Sequence, residues 1–388
     1  MKIVNICLAG SFNYGWGYQD NLISKYQHKN GNDVTLITTR FINDKKGDGY
    51  LEVPAEIKFD NGVKVIRLEH GLGRRATKLF RHYRGLYKTL KIEKPDFIFI
   101  HGLQFLDILY VCKYLRENSN VSCCVDNHAD YTNSAKTKFS YFIHKTLWRY
   151  CAMQINKYAS VFYGVLPIRC DFIKDMYGIS ADKIELLAMG ADDELLEIGK
   201  KKIQKIRRIL NITEGDFVII TGGKIDIFKS ETISLMKAVN EIENENIKLL
   251  VFGSIAKELE ESFNAQLSEK VKYIGWLDQK EIYNYICASD LGFFPGRHSV
   301  IWEQIVASGI PCVFRRLPKT DHIDIGGNCL FLEDGSELEI KKTLKDVLRK
   351  DIYIELKKRS LSPRRNEFLY SQIAQKSIKD VQKVQSNK

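Results

Sequence analysis

Nowhere in the 388 residues does an apolar run approach the ~20 residues of a membrane-spanning helix. The apolar stretch KIVNICLAG near the start is too brief for a secretory leader and flows straight into glycines. It reads as a first strand. No CxxC pair or other metal-ligand spacing occurs among the nine cysteines, which are scattered from Cys7 to Cys329. An odd number of irregularly spaced cysteines argues against a disulfide framework or a zinc ribbon. It describes the reduced, buried thiols of a cytoplasmic protein. Cys123 and Cys124 are adjacent in an expected strand, where neighbouring side chains point to opposite faces. Low-complexity segments are missing, and so are two nucleotide signatures. The first glycine-containing turn is not GxGxxG, no acidic residue closes the second strand, and no GxxxxGK[ST] loop follows any strand.

What is present suits an ordinary globular protein of two or three domains: 44% hydrophobic, 28% charged and 11% aromatic residues. The net charge is +11, and it is unevenly placed. Residues 1–180 hold 26 Lys and Arg against 16 Asp and Glu, an excess of +10. A basic surface of this kind can meet nucleic acid, anionic lipid or a phosphorylated substrate, or be a solvated surface with no partner. No recognised nucleic-acid-binding motif accompanies the charge, so nucleic acid is not an expected partner.

Strand and helix signals alternate from end to end, the mark of an α/β protein. Strands are expected at 2–10, 33–39, 96–102, 121–128, 160–166 and 183–189, with helices at 17–31, 103–118 and 136–158 between them. Residues 40–65 look irregular with hairpins, and RRATKLFRHYRGLYKTLK (74–91) reads as one basic amphipathic helix. Its face would be Leu79, Phe80, Tyr83, Leu86, Tyr87 and Leu90, ringed by arginines, and it would either bind an anionic membrane peripherally or be a core helix with a solvated basic side. A charged helix and linker span 197–216. The pattern then restarts, with strands at 217–223, 247–253, 270–275, 290–296 and 311–316, the last closing the series. Two doubly wound domains are therefore expected, residues 1–190 and 191–365, with a terminal helix over 366–384 crossing back onto the first. Ligands bind outside the carboxyl ends of strands in such sheets, and the motifs below follow strand ends, so they are expected to converge on a cleft between the domains.

In AGSFNYGWGYQ (9–19), Gly15 and Gly17 would let the backbone approach a ligand at a helix N-terminus; the alternative is a tight turn with no ligand. In TGGKIDIFKS (221–230), Gly223 is followed by Lys224 and Lys229, whose spacing lets both ammonium groups reach one diphosphate. In PGRHSVIWEQIVASGIP (295–311), Ser299 is the expected N-cap of a helix whose positive end favours phosphate. Glu303 and Gln304 could hydrogen-bond ribose hydroxyls, since a carboxylate accepts from both hydroxyls of a diol. Asp126, His128 and Asp130 alternate, so on an extended segment they share one face. Together with His101 they are candidates for hydrogen bonds to a substrate, or for capping strand ends. A metal is not expected, because no matching His/Cys cluster appears elsewhere in the sequence.

These motifs, in this order, resemble the retaining GT-B-type glycosyltransferases of family four. The resemblance rests on KNGNDVTLIT (29–38), PDFIFIHG (95–102), AMGADD (188–193), GKIDIFKS (223–230), GWLDQKEIYNYICASDL (275–291) and EQIVASGIPCV (303–313). It implies two Rossmann-like domains, a nucleotide diphosphate sugar as co-substrate, no cofactor and no obligatory metal. Lys224 and Lys229 would hold the donor diphosphate and stabilise the charge that grows on it. Trp276 and Leu277 would sit against the nucleobase, and His128 near the donor sugar, with Asp126 helping to position sugar or acceptor. His101 and Asp130 would face the acceptor, a glycan or lipid-linked glycan. The sequence departs from the family in two places. Lys224 replaces an arginine, which keeps the charge but loses bidentate geometry. Gln304 stands where the family's second glutamate is found, and no glutamate precedes it in residues 291–302, leaving His298 and Ser299 as substitutes for the first. Three other readings remain: a catalytically inactive scaffold of the same fold, a basic nucleic-acid-binding protein, and a sugar-nucleotide epimerase.

Overall fold

The computed structural model describes residues 1–44 and 49–386, with side chains to residue 383. Residues 45–48 of the irregular stretch, and the side chain at the end of the expected tail helix, lie outside the described residues. The chain divides into two compact units, 1–188 with 370–388, and 189–369.

The first unit is built on an eight-stranded sheet. Its order is Ile184–Leu186, Val161–Gly164, Ser122–Asn127, Phe97–His101, Lys2–Cys7, Asp33–Thr38, Val63–Arg67, Ile57–Asp60. All pairs are parallel except the last, a hairpin turned by Asn61 and Gly62, both at positive φ. Phe97–His101 is buried along its whole length, as expected of a parallel strand covered on both faces. Alternation along each strand then sorts side chains into two cores. Val4, Ile6, Ile98, Ile100 and Cys123 fall on one face, and Ile3, Cys7, Phe97, Phe99 and Cys124 on the other. The second face is covered by Gln19–Lys29 and by the last helix, Tyr370–Ser386, which contributes Tyr370, Ile373, Ala374 and Val381. Tyr163 donates to Asp380 at 2.9 Å and Lys376 pairs with Glu185 at 2.6 Å, fixing that helix to the sheet.

The single basic helix expected over 74–91 is two helices, Arg74–Phe80 and Leu86–Glu93. Between them Tyr83–Arg84 forms a short strand against Glu69–His70. Arg81 and Gly85 both adopt positive φ, which ends one helix and starts the other. The break is held from outside the segment: Asp107 accepts from the Tyr83 amide at 2.6 Å and bonds His82, and Arg81 donates to the Gln104 carbonyl at 2.6 Å. The expected amphipathic face is divided accordingly. Tyr83, Leu86 and Leu90 are core residues, whereas Leu79 and Phe80 are exposed.

The second unit carries six parallel strands in the order Val271–Tyr273, Ile247–Ile255, Phe217–Ile225, Leu291–Phe294, Cys312–Arg315, Cys329–Leu332. Cys312–Arg315 is not the last strand; Cys329–Leu332 pairs beyond it. Ile219, Leu249, Phe293, Val313 and Leu332 form a core with Leu235, Ile340 and Leu344 from the helices. Strand order reverses between Phe217–Ile225 and Leu291–Phe294, and in the first unit between Lys2–Cys7 and Phe97–His101. Loops leaving neighbouring strands diverge at such a reversal, and the crevice left at the strands' carboxyl ends accepts ligands.

Candidate functional site

In the second unit the reversal falls between the two strands that carry the lysines and the Pro-Gly loop. Phe217–Ile225 runs on through Lys224, so this lysine is a strand residue; it is exposed. The chain then turns on Asp226, whose carboxylate accepts from the Phe228 amide at 3.0 Å and whose carbonyl accepts from the Lys229 amide at 2.8 Å. That turn brings Lys229 back over the strand end. A methyl group placed on Gly223 would lie 3.1 Å from Lys229 Nζ and 3.7 Å from Cδ1 of Ile301, the first residue of helix Ile301–Ser308. The stem of Lys229 packs beneath Gly296, and Arg297 lies 3.8 Å over the Phe228 ring, so the two strand-end loops run side by side.

The Lys229 ammonium has no hydrogen-bond or ion-pair partner among the described residues. Burial lowers its pKa, opposed only by the charge of Asp226. An unpaired, partly desolvated cation between a glycine backbone and a helix start is an arrangement that attracts a phosphate.

Ser299 does not cap this helix. Its carbonyl accepts from the Trp302 amide at 2.9 Å, while its hydroxyl is buried and unpartnered. Glu303 does not face a ribose either. It is fully buried, and its Oε1 accepts from His298 Nε2 at 2.8 Å and His322 Nε2 at 2.9 Å. Burial opposes ionisation of this carboxyl, but the charges and N–H groups of the two histidines outweigh it and hold the pKa at about 2. His322, missed in the sequence, arrives on the short turn Asp321–Ile323. Gln304 is also buried. Trp276 is 66% exposed, and the Gly275 carbonyl before it accepts from the Gly253 amide at 2.9 Å. An indole is thus left open for stacking next to the neighbouring strand end, with Leu277 half-buried.

The first unit places a second polar group at its own reversal. Asp126, fully buried at the end of Ser122–Asn127, accepts from the Gly102 amide at 2.9 Å and bonds His101 Nδ1 at 2.9 Å. His128 Nε2 lies 3.5 Å from the same carboxylate and is 42% exposed. Burial alone would raise the Asp126 pKa, but His128 and His101 outweigh it and hold the carboxyl well below its usual range. His101 stacks on Phe99 and bonds Asn5 at 3.2 Å, so it holds Asp126 rather than presenting to an acceptor. Asp130 has turned away from this group: it accepts from Thr132, Asn133 and, at 3.1 Å, Arg169. The Gly15 amide is engaged by Asp60 at 3.0 Å, whereas Gln19 reaches toward Asp126 at 3.5 Å with its own Oε1 unpartnered. Of the residues singled out in the sequence, Gly223, Lys229, His298 and Glu303 come together in one unit and His101, Asp126 and His128 in the other. Asp130 serves its own loop, and Gly15 ties its loop to Asp60.

Across all of its length the chain superposes on a glycosyltransferase from Rickettsia africae ESF-5, with TM-score 0.68, 12% identity and 99% of that protein covered. The chain has the GT-B fold. Residues 22–195 of this GT-B protein match the family model described as Glycosyltransferase Family 4. That match accords with the motif resemblance over its N-terminal half. Anabaena HepE in complex with UDP is similar at TM-score 0.66 and 14% identity, covering 99% of this chain and 100% of that one. A UDP-GlcNAc 2-epimerase from Neisseria meningitidis bound to UDP-GlcNAc is similar at TM-score 0.64 and 12% identity, covering 99% and 100%. No curated protein matches the GT-B protein by sequence.

Proposed function

We propose that the chain is a retaining, metal-independent glycosyltransferase. It takes a sugar from a UDP- or GDP-linked donor and passes it to a glycan or lipid-linked glycan acceptor in cell-surface polysaccharide synthesis. The observation that carries this reading is the unpaired Lys229 ammonium beside Gly223 and the start of helix Ile301–Ser308. The leaving group of such a reaction is a diphosphate, and a cation fixed before the reaction stabilises the charge it gains. The Family 4 match and the UDP bound by HepE support the same reading. Lys224, exposed on the same strand, would add charge, and Trp276 would stack on the base. In the first unit, His128 is the group placed to meet a sugar or acceptor hydroxyl, oriented by Asp126.

Residues 74–91 offer the proposed membrane surface a smaller apolar face than the sequence suggests: Tyr83, Leu86 and Leu90 are core, while Leu79 and Phe80 stay exposed beside Arg74, Arg75 and Lys78. A better candidate is the helical stretch from Lys138 to Ile155, which exposes Phe139, Phe142 and Tyr150 near Lys136, Lys138 and Lys145. No helix among the described residues is long and apolar enough to cross a membrane, so attachment would be peripheral, on the cytoplasmic side.

Thermal-shift screening with UDP-, GDP- and ADP-sugars tests the reading. Stabilisation by one nucleotide class is expected, followed by transfer with retained anomeric configuration in EDTA. A protein that binds none of them would be an inactive scaffold. The likeness to the Neisseria epimerase favours one second reading, a sugar-nucleotide epimerase. Inversion at a sugar carbon of the donor, with no acceptor present, would establish it.

A further inference from the structure

The loop after strand Leu291–Phe294 holds a histidine–carboxylate–histidine arrangement whose charge the transferase reading does not specify. His298 Nε2 and His322 Nε2 both reach the same oxygen of Glu303, at 2.8 and 2.9 Å. The other carboxylate oxygen, Oε2, is buried and has no partner among the described residues. An ionised carboxylate only accepts, so each Nε2 carries a hydrogen. A fully buried negative charge is costly unless a cation balances it, and a second proton on one of the two rings would supply that cation. His322 is the poorer choice. Its Nδ1 is buried without a partner, and a hydrogen there would be stranded. His298 is more open, with 12% of its side chain exposed against 5% for His322, and its Nδ1 makes no bond within the described protein.

We propose that His298 is an imidazolium held in place by Glu303 and His322, and that its free Nδ1–H binds an anionic oxygen of the donor. The groups facing it agree with a positive site. Glu303 approaches from helix Ile301–Ser308, His322 from the turn Asp321–Ile323, and the Trp302 ring lies 5.0 Å away. Lys229 lies across Gly296, and Arg297 is turned onto Phe228. The carboxyl of Glu303, held at about 2, stays ionised through the neutral range. The anionic oxygen has two chemical sources. It is a phosphate oxygen of the diphosphate, or the carboxylate of an acidic donor sugar such as a uronic acid. The inference rests on the nucleotide-sugar reading and adds a specificity to it.

Histidine ¹⁵N spectra of the full chain at neutral pH, assigned with His298→Gln and His322→Gln, read the charge directly. Both nitrogens of His298 should be protonated, and only Nε2 of His322. A neutral His298 overturns the proposal. So does a divalent metal ion bound stoichiometrically, because the three donor atoms lie within 4.8 Å of one another and could take one. Calorimetry with UDP, UDP-glucose and UDP-glucuronate identifies the anion. If His298 holds the diphosphate, His298→Gln weakens all three about 10-fold; if it holds the sugar carboxylate, only UDP-glucuronate weakens. Equal affinities in wild type and variant overturn the inference alone. Failure of UDP-, GDP- and ADP-sugars alike to bind wild type overturns the transferase reading, and with it the ligand assigned to His298.

Discussion

The ammonium of Lys229 folds back onto Gly223, so closely that a methyl group there would stand 3.1 Å from Nζ. Gly223 also sits at φ +118, where residues with a side chain are strained. Gly223→Ala should therefore displace the lysine and weaken nucleotide binding about 10-fold, with about 1–3 kcal/mol of backbone strain lowering Tm. Gly215→Ala, where no neighbouring atom is closer than 4.0 Å, should leave affinity unchanged. Calorimetry and thermal unfolding of the two variants make the comparison.

Two fully buried carboxylates contribute to the response to acid. Asp126 and Glu303 both have depressed pKa values in the folded chain, against about 3.9 and 4.3 when unfolded. Groups of this kind stabilise the fold above their unfolded pKa, and the contribution fades as pH falls toward the folded one. Stability should therefore fall from about pH 4 downward. Asp126→Asn and Glu303→Gln should each cost about 1–3 kcal/mol at pH 7 and flatten this acid limb, since the first leaves His101 and His128, and the second His298 and His322, without their charged acceptor. Denaturant unfolding across pH measures both effects.

None of the nine cysteines forms a disulfide; seven are buried, and Cys170 and Cys287 are partly exposed. Burial pushes the Cys287 thiol to about 11, so it too should react slowly at neutral pH. A thiol reagent should therefore modify at most two sites slowly in the native protein and nine after unfolding. A count of seven in denaturant would reveal a disulfide.

Phe139 and Phe142 are 65% and 61% exposed on the stretch that also carries exposed Lys138 and Lys145. Sedimentation with anionic liposomes at low salt should retain the protein. Phe142→Glu with Lys145→Glu should release most of it, each lost positive charge being worth about 1 kcal/mol at such a surface. Equal recovery of wild type and variant in the supernatant would remove the membrane from the account.

Strand and helix positions were legible because buried parallel strands are apolar runs bounded by Gly, Asp and Asn, as in FIFIH and FVIITGG. The failures share one cause, partners distant in sequence. Asp107 and Gln104 hold the break at residues 81–85, while Gly85 was its one local signal. His322, 19 positions beyond Glu303, turns a candidate ribose ligand into a buried anchor. The spacing of the two residues gives no hint of this. Asp130 is the exception: Asp-x-Thr-Asn is itself a turn signature, and Asp130 accepts from both following residues.

The most direct measurement is calorimetric titration of the stabilising nucleoside diphosphate into wild type and Lys229→Met, a change that keeps the apolar stem and removes only the charge. A loss of about 10- to 100-fold in affinity, with turnover down by ~10²–10³, is the expected result. Unchanged affinity in the methionine variant would show that the diphosphate is not held by this ammonium, and the assignment of the second unit as the donor site would be wrong.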